Sequence, residues 1–336
     1  MTAVLHVLPH RGGGAETYLD LLERLDGVTH ERLALSRSRS PLAVLPSLAL
    51  GGRRALLRAA DGSDVVHAHG DVAAALALPL LRSHSAVWTT HGLHLLRRAR
   101  GPVLGAIRAG VREAVRATAV TLCCSRAEAA ELAAIVEPAL HDRLRVVPNG
   151  VDLPEEPRRA PHDELRALYL GRLEDRKDPL TAVRAANRAW VGGAAVRLWV
   201  AGDGPLARRV EAEATDAVEV LGFRRDVADL LRDADAFVLP SRREGISFAV
   251  LEAMAHGLAM VVAEEAGNRE AVGDAGIVLP AGDVAAFAGA LAALAQDPVR
   301  RAALGAAARA RVAEQFTVGQ LLDGVRQAYG AAVAAG

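Results

Sequence analysis

Two carboxylates in the segment SRREGISFAVLEAMAHG, Glu244 and Glu252, cannot share one helix face, because Gly245 and the β-branched Ile246 delay the helix start to about Ser247. Glu244 is then a loop residue and Glu252 lies in the second helical turn. A helix start at Ser247 leaves backbone N–H groups unpaired, where the dipole stabilises a phosphate, and nearby carboxylates accept hydrogen bonds from the diols of a ribose or hexose. As bare spacing, the pair reads equally as ordinary helix charges. A second candidate is YLGRLEDRKDP, with Arg172 and Lys177 five residues apart beyond the end of a predicted strand, placed to hold opposite oxygens of a diphosphate. Simple pairing with Glu174, Asp175 or Asp178 is the alternative. Lys177 is the one lysine among 40 basic residues, which favours a ligand role. The third candidate is PHRGGGAETYLDLL, where Gly12, Gly13 and Gly14 lead into a helix from about Ala15 or Glu16 and let a backbone approach an anion. A tight turn between strand and helix would use the same glycines, and Thr17 in place of a further glycine excludes a dinucleotide fingerprint.

Short Val, Leu and Ala runs followed by longer helical patterns must position these loops. They predict strands near 3–8, 32–35, 65–68, 86–90, 119–123 and 144–147, and again near 167–170, 196–201, 218–221, 236–239, 260–262 and 276–279. Repeated βα units of this kind build parallel sheets, and 336 residues suffice for two α/β domains. Pro148, Pro154, Pro157 and Pro161 mark a linker, so the domains are expected at 1–152 and 153–317. The tail from Val284 is helical in pattern, broken at Asp297-Pro298 and again near Phe316-Thr317.

Composition narrows the function classes. Hydrophobic residues make up 51% and charged residues 24%, which excludes a disordered or fibrous chain. Forty basic residues balance 40 acidic ones, so no global field points to nucleic acid or membrane. Residues 1–152 carry 18 Arg against 14 acids, leaving 22 basic against 26 acidic residues in the remainder, or +4 facing −4. An anionic ligand suits that asymmetry. The adjacent Cys123 and Cys124 build no disulfide framework, and with no secretory signal or spanning segment a cytoplasmic protein is expected.

The segment around Glu244 and Glu252, together with GRLEDRKDP and AGDGP (201–205), resembles the retaining glycosyltransferases of family 4, also called group 1. PHRGGGAE, DVVHAHG (64–70), TTHG (89–92), VVPNGVD (146–152), DADAFVLPS (233–241) and AGNREAV (266–272) follow in the family's order, so the resemblance covers nearly the whole chain. It implies a GT-B fold, two Rossmann-like domains facing across a cleft. The second domain would hold a nucleoside-diphosphate-sugar, the first would face the acceptor, and a C-terminal helix of about 318–336 would pack back on the first. It further implies that Arg172 and Lys177 bind the diphosphate and Glu252 the ribose, while Glu244 with Gly245, Ile246, Ser247 and Phe248 holds the transferred sugar. His91 would lie beside that sugar, Gly13 and Gly14 beside the phosphates, Gly202 in the donor site and Arg224 near the base. No cofactor and no metal are implied. HGLAMVV and AGNRE depart from the family's usual residues, which bears on sugar specificity. The short chain is also similar to compact actinomycete enzymes that assemble oligosaccharide antibiotics of the avilamycin type, implying a natural-product acceptor.

Other chemistries fit less well. His67, His69, His91 and His94 offer four imidazoles, and Asp233-Ala-Asp235 mimics a metal-binding aspartate pair, but no HExxH spacing occurs. Gly202 and Gly204 are followed by Ala207 where a nicotinamide fingerprint needs glycine, and a pyridoxal-phosphate phosphorylase would need the lone lysine for itself. A non-catalytic nucleotide-sugar binder stays open. Pro102–Arg116 carries apolar and arginine stripes able to rest on anionic lipid, yet Ala109, Gly110 and Ala117 offer little bulk to insert, so a core-facing helix is expected.

Overall fold

A computed structural model describes residues 1–10, 14–36, 57–155, 162 and 164–336. The chain divides into two compact units, Met1–Asn149 with Val318–Gly336, and Gly150–Thr317. Among the described residues each unit holds one six-stranded sheet, and every strand pair is parallel.

In the first unit the strands are β1 (Thr2–Leu8), β2 (Val28–Ala34), β3 (Val65–His69), β4 (Ala86–Thr89), β5 (Val120–Cys123) and β6 (Leu144–Val146), ordered β2-β1-β3-β4-β5-β6. β3, β4 and β5 are buried at every position, because helices cover both faces of a parallel sheet and each residue must suit an apolar neighbour. β2, VTHERLA, is at the sheet edge among the described strands and is mostly exposed or half-buried. It begins at Val28, four residues before the apolar signal at Arg32. The helix Val318–Ala335 belongs to this unit and lies against β3, β4 and β5 through a stripe that includes Leu321, Val325, Ala328, Tyr329 and Ala332.

The second unit contains β7 (Leu165–Leu170), β8 (Val196–Ala201), β9 (Val218–Gly222), β10 (Ala236–Leu239), β11 (Ala259–Ala263) and β12 (Gly276–Leu279), ordered β12-β11-β10-β7-β8-β9. Its core gathers the fully buried Tyr169, Phe237 and Phe287, each contributing on the order of 2 kcal/mol by burial. The helical tail breaks where Asp297 ends one helix and caps the next, accepting from the Arg300 N–H at 2.8 Å with Pro298 in the first turn. The strand order reverses between β7 and β10 here and between β1 and β3 in the first unit. In open α/β sheets such switch points leave a crevice beyond the strands' carboxyl ends, so the loops after β7 and β10 are the places for ligand chemistry.

The arginine-bearing helix Gly101–Ala117 buries Val111, Ala114 and Val115, and leaves Val103 59% exposed. Its apolar residues face the first unit's core, which is the ordinary use of such a stripe. Among the described residues no helix is long and apolar enough to cross a membrane.

Candidate active site

The loop after β7 runs from Gly171 to Asp178, and the Tyr169 hydroxyl pins it from below by donating to the Arg172 carbonyl at 3.0 Å. Gly202, at the end of β8, presses on this loop: a Cβ there would stand 1.8 Å from the Gly171 carbonyl oxygen, and its φ of +152° suits glycine. The loop ends at Asp178, which takes a left-handed φ of +46° and caps the helix Pro179–Val191 by accepting from the Thr181 N–H at 3.4 Å, with the Thr181 hydroxyl donating to it as well at 2.9 Å.

Across the switch point, the loop after β10 brings Glu244 to Lys177. Their Nζ to Oε1 distance is 2.6 Å, and Arg176 Nη1 donates to the same oxygen at 3.3 Å. Arg176 also reaches Glu174 at 3.0 Å and the Arg243 carbonyl at 3.1 Å, so one guanidinium ties both loops together. Glu244 is 5% exposed, and a carboxylate so buried requires partners of this kind. Lys177 therefore pairs with none of the three acids nearest in sequence. Arg172 differs: half-exposed, its Nε lies 3.4 Å from Glu174. Arg224, after β9, forms an exposed pair with Asp226 at 2.7 Å.

Downstream of Glu244 the helix Phe248–Ala255 starts at Ser247, whose side chain makes no capping bond, so the first-turn N–H groups keep their capacity for an anion. Gly245 is held from behind by Gly267, where a Cβ would come within 2.3 Å of the Gly245 carbonyl. Glu252 sits one turn into the helix. Burial pushes its carboxyl pKa upward, and among the described residues its side chain has no hydrogen-bond or ionic partner. An underused, half-buried acceptor of this sort suits a neutral diol.

In the first unit Gly14 opens the helix Gly14–Leu22, whereas Gly13 lies outside the described residues. His91 follows β4 at a left-handed φ of +49°. Its Nε2 is 3.1 Å from His69 Nδ1, the Tyr18 ring meets it edge-on at 4.8 Å between centroids, and burial holds its pKa down at about 3. It is a neutral imidazole at physiological pH. Asp235, one half of the metal-mimicking pair, accepts from the Arg166 N–H at 3.0 Å and serves the sheet.

Two family models cover most of the chain: "Glycosyltransferase Family 4" matches residues 7–155 and "Glycosyl transferases group 1" matches residues 164–297. D-inositol 3-phosphate glycosyltransferase 1 of Catenulispora acidiphila is 30% identical over 352 residues, spanning 94% of this chain and 84% of the relative. Glycogen synthase of Mycobacterium tuberculosis is 30% identical over 287 residues, or 80% and 69% of the two chains. The fold matches HepE of Anabaena in complex with UDP-glucose at a TM-score of 0.78, with 17% identity and coverage of 97% and 99%.

The chain belongs to the family 4, group 1 glycosyltransferases.

Within this glycosyltransferase, the loops after β7 and β10 also wall a cavity of about 430 Å³ lined by Asp178, Arg184, Arg209 and Arg242, on a side that includes neither Lys177 nor Glu244. Two features of the glycosyltransferase carry no usable signal in the sequence. Arg176 sits inside an unremarkable charge run, and the histidines around His91 come from strands distant in sequence.

Proposed function

We propose that this glycosyltransferase moves a sugar from a nucleoside-diphosphate-sugar to an acceptor hydroxyl with retention of anomeric configuration and without a metal ion. The observation that carries the reading is the Lys177–Glu244 pair spanning the β7/β10 switch point, followed at once by the uncapped helix start at Ser247 and the partnerless Glu252. An ammonium has three donors, so Lys177 can keep one on Glu244 while turning others to a diphosphate. With Arg172 and the helix N-terminus it would stabilise the charge that grows as the diphosphate leaves, the task a metal performs elsewhere. Glu252 would accept from ribose hydroxyls. Glu244, whose Oε1 is held by two cations, orients the sugar through its remaining acceptor capacity and does not attack it; the leaving phosphate takes the acceptor proton on the front face.

The domain assignment follows: 153–317 binds donor, with Gly202 and the backbone of Gly245, Ile246, Ser247 and Phe248 in contact and Arg224 near the base. Residues 1–152, with 318–336, face the acceptor, with His91 beside the sugar and Gly13 and Gly14 beside the phosphates. UDP-glucose on the structurally similar HepE supports the donor class. For the acceptor the reading is a small-molecule or oligosaccharide natural product of the kind made in antibiotic biosynthesis, with a lipid-linked or cell-surface glycan as the alternative. The free, buried Cys123 and Cys124 support a cytoplasmic setting.

A panel of UDP-, GDP- and ADP-sugars screened by thermal shift and by donor consumption tests this directly. The expected result is one donor class that raises the melting temperature and is consumed with the anomer retained, in the presence of EDTA. Binding without turnover, an inverted product, or activity lost to EDTA would refute the corresponding part.

A further inference from the structure

Five imidazoles crowd the first unit beneath Tyr18 and Tyr329, and four of them are joined end to end. His6 on β1 faces His30 on β2, and His67 and His69 lie on β3; the parallel register sets His6 opposite His67 and Val4 opposite His30, placing all four on one face of the sheet. His30 Nδ1 lies 2.8 Å from His6 Nε2, His6 Nδ1 lies 2.9 Å from His69 Nε2, and His69 Nδ1 lies 3.1 Å from His91 Nε2. At the far end His91 Nδ1 is 4.0 Å from Cys124 Sγ. Every junction joins an Nδ1 to the next Nε2, so the row has a direction.

A neutral imidazole carries one N–H and one bare nitrogen. In a head-to-tail row each junction needs one proton, so the four rings must all be protonated on Nδ1 or all on Nε2; a mixture leaves at least one junction with two protons or with none. Burial keeps His6 and His69 far below their ordinary range, lowers His30 as well and holds His91 at about 3, so the row is neutral. His30 Nε2, at the other end, is buried with no hydrogen-bond partner among the described residues. A proton on it would be a buried donor without acceptor, and in that state His91 Nδ1 would be bare.

We propose that His30, His6 and His69 form a relay that fixes the tautomer of His91, placing its proton on Nδ1. His6 and His69 are positioning residues: through them, a ring on the edge strand decides whether His91 presents a hydrogen-bond donor. A free imidazole prefers the Nε2–H form, so the relay holds His91 against its intrinsic preference. The use of that donor on a hydroxyl of the transferred sugar rests on the proposed placement of His91; the tautomer itself does not. His67 stands outside the row, with both nitrogens taken, at 2.8 Å from the Tyr329 hydroxyl and 2.7 Å from the Thr89 hydroxyl. His6, His67 and His69 offer nitrogens within 4.8 Å of one another, but those of His6 and His69 already bond each other at 2.9 Å and both of His67 are taken by hydroxyls.

Nitrogen-15 histidine spectra of the full-length protein test the relay. Wild type is expected to show His30, His6, His69 and His91 protonated on Nδ1 and bare on Nε2. In His69→Phe, His91 should revert to Nε2–H. His6→Leu should release the His69–His91 pair toward Nε2–H, whereas His6→Asn, whose amide N–H stands near the lost Nδ1, should hold it; a role limited to filling space does not separate the two variants in this way. Should His6→Leu fail to fold, the wild-type and His69→Phe spectra still decide. Mixed tautomers along the row, a His91 indifferent to His69→Phe, or stoichiometric Zn²⁺ uptake that changes the His6, His67 and His69 signals would overturn the relay. Turnover with the donor found above should fall on the order of tenfold in His6→Leu and be restored in His6→Asn. Tautomers that shift as expected with turnover unchanged would keep the relay and refute the placement of His91 at the sugar.

Discussion

The two units build the same kind of sheet and bury different polar groups in it. In the first, neutral rings occupy the sheet face itself: His6, His67 and His69 are essentially without solvent exposure and satisfy one another, Thr89 and Tyr329. In the second, the buried carboxylates Asp178, Asp235 and Glu244 lie outside the strands, and Lys177 and Arg176 converge on Glu244 from the loop after β7. A group that can give up its charge tolerates a strand interior, because only hydrogen bonds need replacing; a carboxylate or ammonium needs opposite charges and a place where two loops can supply them.

The contrast breaks most visibly at Lys177. Lys177→Ala should lower the rate by on the order of 10² or more while Glu244 keeps Arg176, so the fold survives and the loss is specific to turnover. Steady-state kinetics with the donor identified by thermal shift measure it, and near-wild-type rates would remove Lys177 from the diphosphate site.

Acid should separate the halves next. Folded His6, His67, His69 and His91 stay neutral while the unfolded chain takes up protons below about pH 6.5. Their folded pKa values are depressed, so the native state keeps its full stability above that pH and loses it as pH falls, at about 1.4 kcal/mol per pH unit for each extra proton bound by the unfolded chain. The window for His91 runs from about 6.5 down to about 3. Between pH 7 and pH 5 hydrogen exchange, corrected for intrinsic rates, should show β1 and β3 losing more protection than β7 and β10, by on the order of 2 kcal/mol for each histidine that stays neutral in the fold. Equal losses in both units would contradict the neutral-row description.

Glu252→Gln is the mildest and the sharpest test. It removes a desolvated charge that nothing in the described structure balances, so stability should hold or rise slightly, while donor KM increases by about tenfold through the weakened acceptor. A fall in melting temperature with KM unchanged would make Glu252 structural.

All twelve strands were legible at least in part, the inner ones because parallel strands covered on both faces read as unbroken apolar runs. β2 was legible only in its second half: VTHE carries no apolar run, and an edge position asks for none. Glycine, a lone lysine and a helix start single out Lys177, Glu244 and Ser247 in the sequence, and the structure sets Lys177 against Glu244 just ahead of that helix start. The imidazole row was not. His30 and His69 stand 24 and 63 residues from His6, and only the register of three strands brings them together. Arg176 escaped notice for a simpler reason, since DRKD offers no hint of which cation will cross to Glu244.

The helix Val318–Ala335 gives the protein a timetable. A chain emerging from the ribosome delivers all of Gly150–Thr317 before this helix exists, so the second unit can close first. Until residue 329 arrives, His67 lacks its tyrosine and the face of β3, β4 and β5 lacks its cover, and Val147 waits for Gly324, whose missing side chain lets the helix approach it. The half that is made first is therefore finished last, and truncation within this helix strips cover from a sheet that begins more than 300 residues earlier in the chain.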